Sequence, residues 1–167
     1  MASFVNVYKI QDGKLALHKK KFQINELIGS IVSDFQYTTK SYNIINKAQS
    51  GMMVHADSER IAQVLVNLIS NAIKYSPNAD KVVISSSQDI NNVIISVQDF
   101  GLGIPKEEQS KIFERFFRVK AKRAMDISGL GLGLYISYEI ISQHKGKIWV
   151  ESTESKGSTF SFSLPVK

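Results

Sequence analysis

Gln63-Val-Leu-Val-Asn67-Leu-Ile-Ser-Asn71-Ala-Ile-Lys74-Tyr75-Ser76 is the stretch whose reading decides the fold. With Ile61 in front of it, Val64, Leu65, Leu68 and Ala72 recur at the spacing of one helical face. Val66, Ile69 and Ile73 lie elsewhere around the helix, so the spacing predicts a helix that is apolar over most of its circumference and buried between layers. One stripe breaks the pattern. Gln63, Asn67, Asn71 and Lys74 project on one side. Amides and an ammonium on a buried helix cost several kcal/mol, on the order of a lost hydrogen bond each, unless they find partners. The stripe is either a set of satisfied core amides with a snorkelling lysine, or one wall of a nucleotide site. Amide oxygens ligate hard cations and lysine meets phosphate, which favours the wall.

The chain has 167 residues, 43% hydrophobic and 22% charged, which fits one soluble globular domain with a short appendage. It contains no cysteine, so no disulfide framework, thiolate metal site or thiol nucleophile is available, and a reducing compartment is expected. No apolar run reaches the ~20 residues of a membrane span, and no signal peptide opens the chain. The net charge of +6 and pI near 9.4 allow an anionic partner. The cations are dispersed and lack the basic-aromatic interleaving of a single-strand binder, so nucleic acid is not the expected partner.

Outward from the helix, the pattern is a mixed α/β one. Phe4 to Gln11 reads as the end of a helix stopped by Asp12-Gly13, followed by an extended connector into a strand near residues 22–24. Asn25 is the expected N-cap of a helix over 25–39. Strands are expected at 42–46 and 52–55, with Asp57 or Ser58 capping the helix over 58–75. A hairpin at 81–88 and 93–99 follows, then a short helix after Pro105, a helix over 130–144, and two closing strands at 147–151 and 158–164.

Three further patterns carry chemistry. Asp99-x-Gly101-x-Gly103 at a strand end offers a carboxylate to an exocyclic amine and admits a flat ring beside it. Gly129-x-Gly131-x-Gly133 before a helix is a phosphate-cradle pattern, although Leu134 denies it the dinucleotide fingerprint and no Gly-Lys-Ser/Thr makes it a P-loop. Arg115, Arg118, Lys120, Lys122 and Arg123 cluster before that loop, where they form a solvated charged segment or supply positive charge to a triphosphate. His18, His55 and His144 are not at metal-ligand spacing.

Taken together, Asn67-x-x-x-Asn71-x-x-Lys74-Tyr75, Asp99-x-Gly101-x-Gly103, Phe113-x-x-Phe116-Phe117 and Gly129-x-Gly131-x-Gly133 resemble the N, G1, F and G2 boxes of the catalytic ATP-binding domain of two-component sensor histidine kinases. The resemblance covers roughly residues 20–167, and His144 and Ile148-Trp-Val-Glu-Ser152 resemble the family's closing helix and strand. It implies an α/β (α+β) two-layer sandwich, a mixed, mostly antiparallel sheet under three helices, of the Bergerat type. It also implies ATP and Mg²⁺ as cofactors. Asn71 would hold Mg²⁺, with Asn67, Lys74 and Tyr75 lining the phosphate and ribose side. Asp99, Gly101, Gly103 and Ile104 would take the adenine, and Arg115 would reach the γ-phosphate. Phe116, Gly129, Leu130, Gly131, Leu132, Gly133, Leu134 and Thr159 complete the implied nucleotide contacts, with Gly129 to Gly133 ending a mobile lid.

The resemblance divides the chain into residues 1–20, the tail of a dimerisation helix plus connector, and residues 21–167, the catalytic domain. Its implied partners are the dimerisation and phosphoacceptor domain of the same kinase and, indirectly, a response regulator. A cytoplasmic location follows, with a parent protein that is either free or membrane-anchored. Two features depart from the family. The closing glycine motif is reduced to Gly157 in Ser155-Lys156-Gly157-Ser158-Thr159, and no His followed by an acidic residue supplies a phosphoacceptor. Hydrolytic members of the wider group place a Glu four residues before the Mg²⁺-binding Asn. Here that residue is Asn67, whose amide accepts no proton near neutral pH, so ATP should be held for transfer and hydrolysed poorly. The rival class is a nucleotide-regulated binding module, either a degenerate pseudokinase or an anti-sigma-like interaction domain.

Overall fold

The computed structural model describes residues 16–119 and 129–166. The helix-tail reading of Phe4 to Gln11, the cations Lys120, Lys122 and Arg123, and all but Val119 of the expected lid over residues 119–128 lie outside the described residues.

Among the described residues the elements are β1 (Lys20–Gln23), α1 (Ile24–Thr38), β2 (Asn43–Lys47), β3 (Met53–Ala56), α2 (Ser58–Lys74), β4 (Lys81–Gln88), β5 (Asn92–Gln98), α3 (Gly133–Gln143), β6 (Ile148–Thr153) and β7 (Gly157–Pro165). The expected fold class is the observed one. A five-stranded sheet runs in the order β2-β4-β5-β7-β6, and β1 pairs with β3 in a separate two-stranded ribbon. Only β2 and β4 are parallel, because the chain crosses over through β3 and α2 between them. The remaining neighbours are antiparallel.

Period-two alternation aims one face of this sheet at the helices. Val82 and Ile84 of β4, Val93, Ile95 and Val97 of β5, and Phe160, Phe162 and Leu164 of β7 are all buried. The opposite face mixes serine hydroxyls with the partly buried Ile45, Val83, Ile94 and Trp149, and Ser96 and Ser161 share a hydroxyl bond of 2.8 Å across β5 and β7. Helix α2 buries Ile61, Val64, Leu65, Leu68, Ile69 and Ala72 against the sheet and the flanking helices. Each of the larger side chains, Ala72 excepted, stabilises the fold by about 1.5–3 kcal/mol.

Three local expectations are corrected. Val66 is 43% exposed, so α2 keeps one solvent side and is not enclosed all round. Helix α1 begins one residue early: its N-cap is Gln23, with no side-chain cap bond, and Ile24 N donates to Met52 O at 3.0 Å. Asn25 therefore sits inside the first turn, where its Oδ1 is buried without a hydrogen-bond partner among the described residues. The short helix after Pro105 is instead a run of turns over residues 106–116, closed by bonds such as Glu108 N to Pro105 O at 2.9 Å.

Asp57, one of the two expected caps, starts α2 by accepting from Arg60 N at 3.2 Å, and its other oxygen accepts from His18 N at 2.8 Å. Burial works to raise its carboxyl. The N–H donors of His18 and Arg60 and the Arg60 charge outweigh that and hold it below its ordinary value. Asp57 N in turn donates to His144 Nε2 at 3.0 Å, and His144 Nδ1 bonds Ile140 O at 2.8 Å. His144 is thereby fixed as the neutral Nδ1–H tautomer at the end of α3, tying α3 to the start of α2.

Candidate nucleotide site

The polar stripe of α2 opens onto a cavity of about 410 Å³, a size suited to a small organic ligand. Asn67, Asn71, Lys74 and Tyr75 form one wall, and the loop after β5 forms another through Asp99, Leu102, Gly103 and Ile104. Gly129 to Leu134 make the lip, and Ser158 and Phe160 of β7 make the floor.

Asp99 is 4% exposed. Its Oδ1 accepts from Gly101 N at 2.9 Å, Ser158 N at 3.2 Å and Ser76 Oγ at 3.4 Å. Burial raises its pKa above the ordinary carboxylate value, against those three donors. All three bonds run to one oxygen, which leaves Oδ2 as the acceptor available to a ligand amine. The loop that follows is held tightly: Leu102 N donates to Tyr75 O at 3.0 Å and Ser155 N to Leu102 O at 2.7 Å. Gly103 adopts φ +66°, and a Cβ there would collide with Thr153 O, so the loop can lie flat on the β6–β7 turn only without a side chain.

Tyr42 OH reaches the end of α2, bonding Ile73 O at 3.2 Å and, more closely, Ser76 O just beyond the helix. Lys74 lies 5.3 Å from the Tyr75 ring centroid. Burial and the Arg118 charge together lower the Lys74 pKa, so two cations share this wall. A Cβ on Gly129 would stand 2.9 Å from Lys74 Nζ, so lip and wall meet at the ammonium. Asn67 Nδ2 donates to Ser137 Oγ at 3.0 Å, and Ser137 Oγ to Gly133 O at 3.1 Å, which lock α2 against α3. A side chain on Gly133 would strike the Asn67 amide. Asn71 lines the cavity, and its side chain makes no hydrogen bond among the described residues.

Four expected contacts lie off this cavity. Arg115 is exposed and stacks on the Phe116 ring, 4.8 Å from its centroid, while Arg118 lines the wall. Phe116 has φ +63° and is 55% exposed; its N donates to Gly131 O at 3.0 Å, and this local reversal sends Phe117 inward in its place. Thr159 faces the other side of β7, in a polar cleft with Glu151 and Gln98, because strand side chains alternate and Ser158 and Phe160 take the inner face. Gly101 does not touch the cavity. It supplies the N–H that holds Asp99, and a Cβ there would collide with Tyr75 O. Ser158 and Phe160 line the cavity although the sequence reading assigned neither to it; each is one residue from Thr159 and so on the opposite face of β7, whereas nothing in the sequence marks the reversal at Phe116.

Comparison with known proteins shows the family. Residues 56–167 match the family described as histidine kinase-, DNA gyrase B-, and HSP90-like ATPase. The sensor histidine kinase WalK of Bacillus subtilis is 40% identical over 156 residues, covering 90% of this chain and 25% of that protein. The catalytic domain of histidine kinase ThkA superposes with TM-score 0.76 at 35% identity, covering 89% of this chain and 97% of that one. ThkA in complex with the response regulator protein TrrA superposes with TM-score 0.79 at 31% identity, covering 98% of this chain and 47% of that one. The chain spans less than half the length of the curated relatives it matches first, 25% and 42% of the first two. The amide stripe of α2, the buried Asp99 and the glycine lip thus stand in a chain that belongs to the histidine kinase-, DNA gyrase B- and HSP90-like ATPase family, as a sensor histidine kinase catalytic domain.

Proposed function

We propose that this domain binds ATP with Mg²⁺ and donates the γ-phosphate to a histidine on a separate dimerisation domain, for relay to a response regulator. The observation that carries the reading is one cavity holding a desolvated carboxylate, Asp99, and two crowded cations, Lys74 and Arg118. Adenine fits the first, its exocyclic amine donating to Asp99 Oδ2 while Leu102, Ile104 and Phe160 cover the ring. A polyphosphate fits the second. Burial and mutual repulsion disfavour the charge on Lys74, and an anion between it and Arg118 reverses that penalty. The N–H groups of the glycine lip add donors.

No group of three His, Cys, Asp or Glu side chains able to hold a metal occurs among the described residues. That fits Mg²⁺, which is commonly held by one or two protein groups plus phosphates and water. Asn71, with its amide uncommitted, is the side chain that would hold it. The ion, when bound, neutralises charge on the phosphates. The chain's own part is positioning. Asn67 is committed to Ser137 and has no basic atom to activate water, so ATP waits for an incoming histidine nitrogen, which forms the new P–N bond as ADP leaves. Complexation of ThkA with a response regulator supports the relay. The reading places the domain in the cytoplasm, where ATP is supplied; no helix among the described residues is long and apolar enough to cross a membrane.

Calorimetry with and without Mg²⁺ tests it. ATP should bind, more tightly with the ion, and GTP should bind at least tenfold more weakly, about 1.4 kcal/mol. Equal binding of ATP and GTP, or none of either, would overturn the reading.

A further inference from the structure

The loop carrying Gly103 and Ile104 belongs to no helix or strand, yet it forms a cavity wall whose position sets the space for a ring. Ile104 is held at both of its backbone groups. Its N–H donates to Ser152 Oγ at 2.8 Å, and that hydroxyl is itself fixed by Gly157 O at 3.0 Å and Ser158 Oγ at 2.9 Å. Its carbonyl accepts from Gln109 Nε2 at 2.9 Å, and the same nitrogen donates to Ser152 O at 2.9 Å. A primary amide has two N–H bonds, and both are used on backbone carbonyls from two different segments.

Gln109 stands in the turn run over 106–116, which carries the cavity-lining Ile112 and leads into Phe117 and Arg118. We propose that Gln109 is a positioning residue of the nucleotide site. It clamps the Ile104 loop to the end of β6 and so fixes the ring-side wall against the segment that brings Phe117 and Arg118. This rests on the nucleotide reading above. The side chain lines the polar cleft on the far side of the wall and does not line the nucleotide cavity, so its effect on a ligand passes through Ile104. Removing both donors frees two carbonyls on the wall's outer side and loosens the loop, because no other side chain holds the Ile104 carbonyl among the described residues.

The pattern of loss separates positioning from general weakening. A wall beside the ring contributes equally to adenosine, ADP and ATP, whereas a loosened phosphate segment costs more as phosphates are added. Gln109→Met keeps length and removes both donors; Gln109→Glu keeps shape and sets a carboxylate against two carbonyls. By calorimetry, Gln109→Met should weaken adenosine, ADP and ATP by a common factor of roughly tenfold. Gln109→Glu should weaken them further at pH 8 and recover towards the Gln109→Met values on acidification, as a protonated carboxyl regains one donor, with each value referred to wild type at the same pH. Thermal unfolding establishes that the variant measured is folded, and Gln109→Met carries the test if Gln109→Glu is not. Unchanged affinity in folded Gln109→Met, or a loss that grows with phosphate number, overturns the assignment. Failure of wild type to bind any adenine compound would instead sink the nucleotide reading itself.

Discussion

Replacing Asp99 with asparagine separates binding from folding, because the structure gives the two oxygens of this carboxylate different work. Oδ1 accepts from Gly101 N, Ser158 N and Ser76 Oγ, and an asparagine oxygen in the same place keeps all three bonds in neutral form. At the other position an NH₂ would face the adenine amine, donor against donor. The lost bond to a charged acceptor is worth about 1.5–3 kcal/mol, roughly ten- to a hundredfold in affinity for ATP. Stability should move the other way. Burial raises the Asp99 pKa in the fold, so the folded protein holds its proton to a higher pH than the unfolded chain does. Stability contributed by this group is greatest below its unfolded pKa and falls as pH rises through the folded value. The asparagine variant escapes that loss, so at pH 7 its Tm should equal or exceed that of wild type. Calorimetry and thermal unfolding on the same samples read both quantities. An affinity within twofold of wild type, or a parallel collapse of Tm and affinity, would refute the assignment of Oδ2 to the ligand.

Other substitutions test the geometry elsewhere. Arg118→Ala should weaken ATP at least tenfold more than it weakens adenosine, while Arg115→Ala, with its guanidinium on the Phe116 ring, should leave ATP affinity within about threefold; the reverse order by calorimetry would restore Arg115 to the phosphate. Gly101→Ala places a methyl group against Tyr75 O and should cost about 2–4 kcal/mol by denaturant unfolding. Gly29→Ala, in open space on α1, should gain about 0.5–1 kcal/mol. Burial, chiefly, depresses the pKa of His144 below its ordinary 6.5. The unfolded chain therefore binds the proton first, and stability should fall as pH drops below about 6.5; a His144→Gln variant should lose that slope.

How far the sequence disclosed this molecule depends on the range of the interaction concerned. The stripe of Gln63, Asn67, Asn71 and Lys74 is local geometry on one helix, and three of its four members line the cavity. The alternation in 81–88 and 92–98 is equally local and gave the hairpin. Pairing was less legible: β3 follows β2 across a tight turn yet joins β1, because its register is decided by contacts with a segment more than thirty residues earlier. Asn25 looked like a cap by residue type, but Ile24 N found Met52 O instead, a long-range bond that no local pattern encodes. The same holds at the site. Asp99 and the glycines were readable as motifs, whereas the placement of Arg118 on the cavity and of Arg115 off it goes with a positive φ at Phe116, whose N donates to Gly131 O. Thr159 was a choice between two faces of one strand, and strand parity placed Ser158 inside.

The most direct test of the account follows the γ-phosphate. The chain is incubated with γ-labelled ATP and Mg²⁺, alone and together with the dimerisation helices of its parent kinase supplied in trans. Its own histidines are His18, His55 and His144, none followed by an acidic residue, and His144 is buried with both ring nitrogens bonded. The account predicts acid-labile label on a histidine of the added helices, none on this chain, and only slow release of free phosphate. Label accumulating on this chain by itself, or rapid steady-state hydrolysis without the helices, would contradict it.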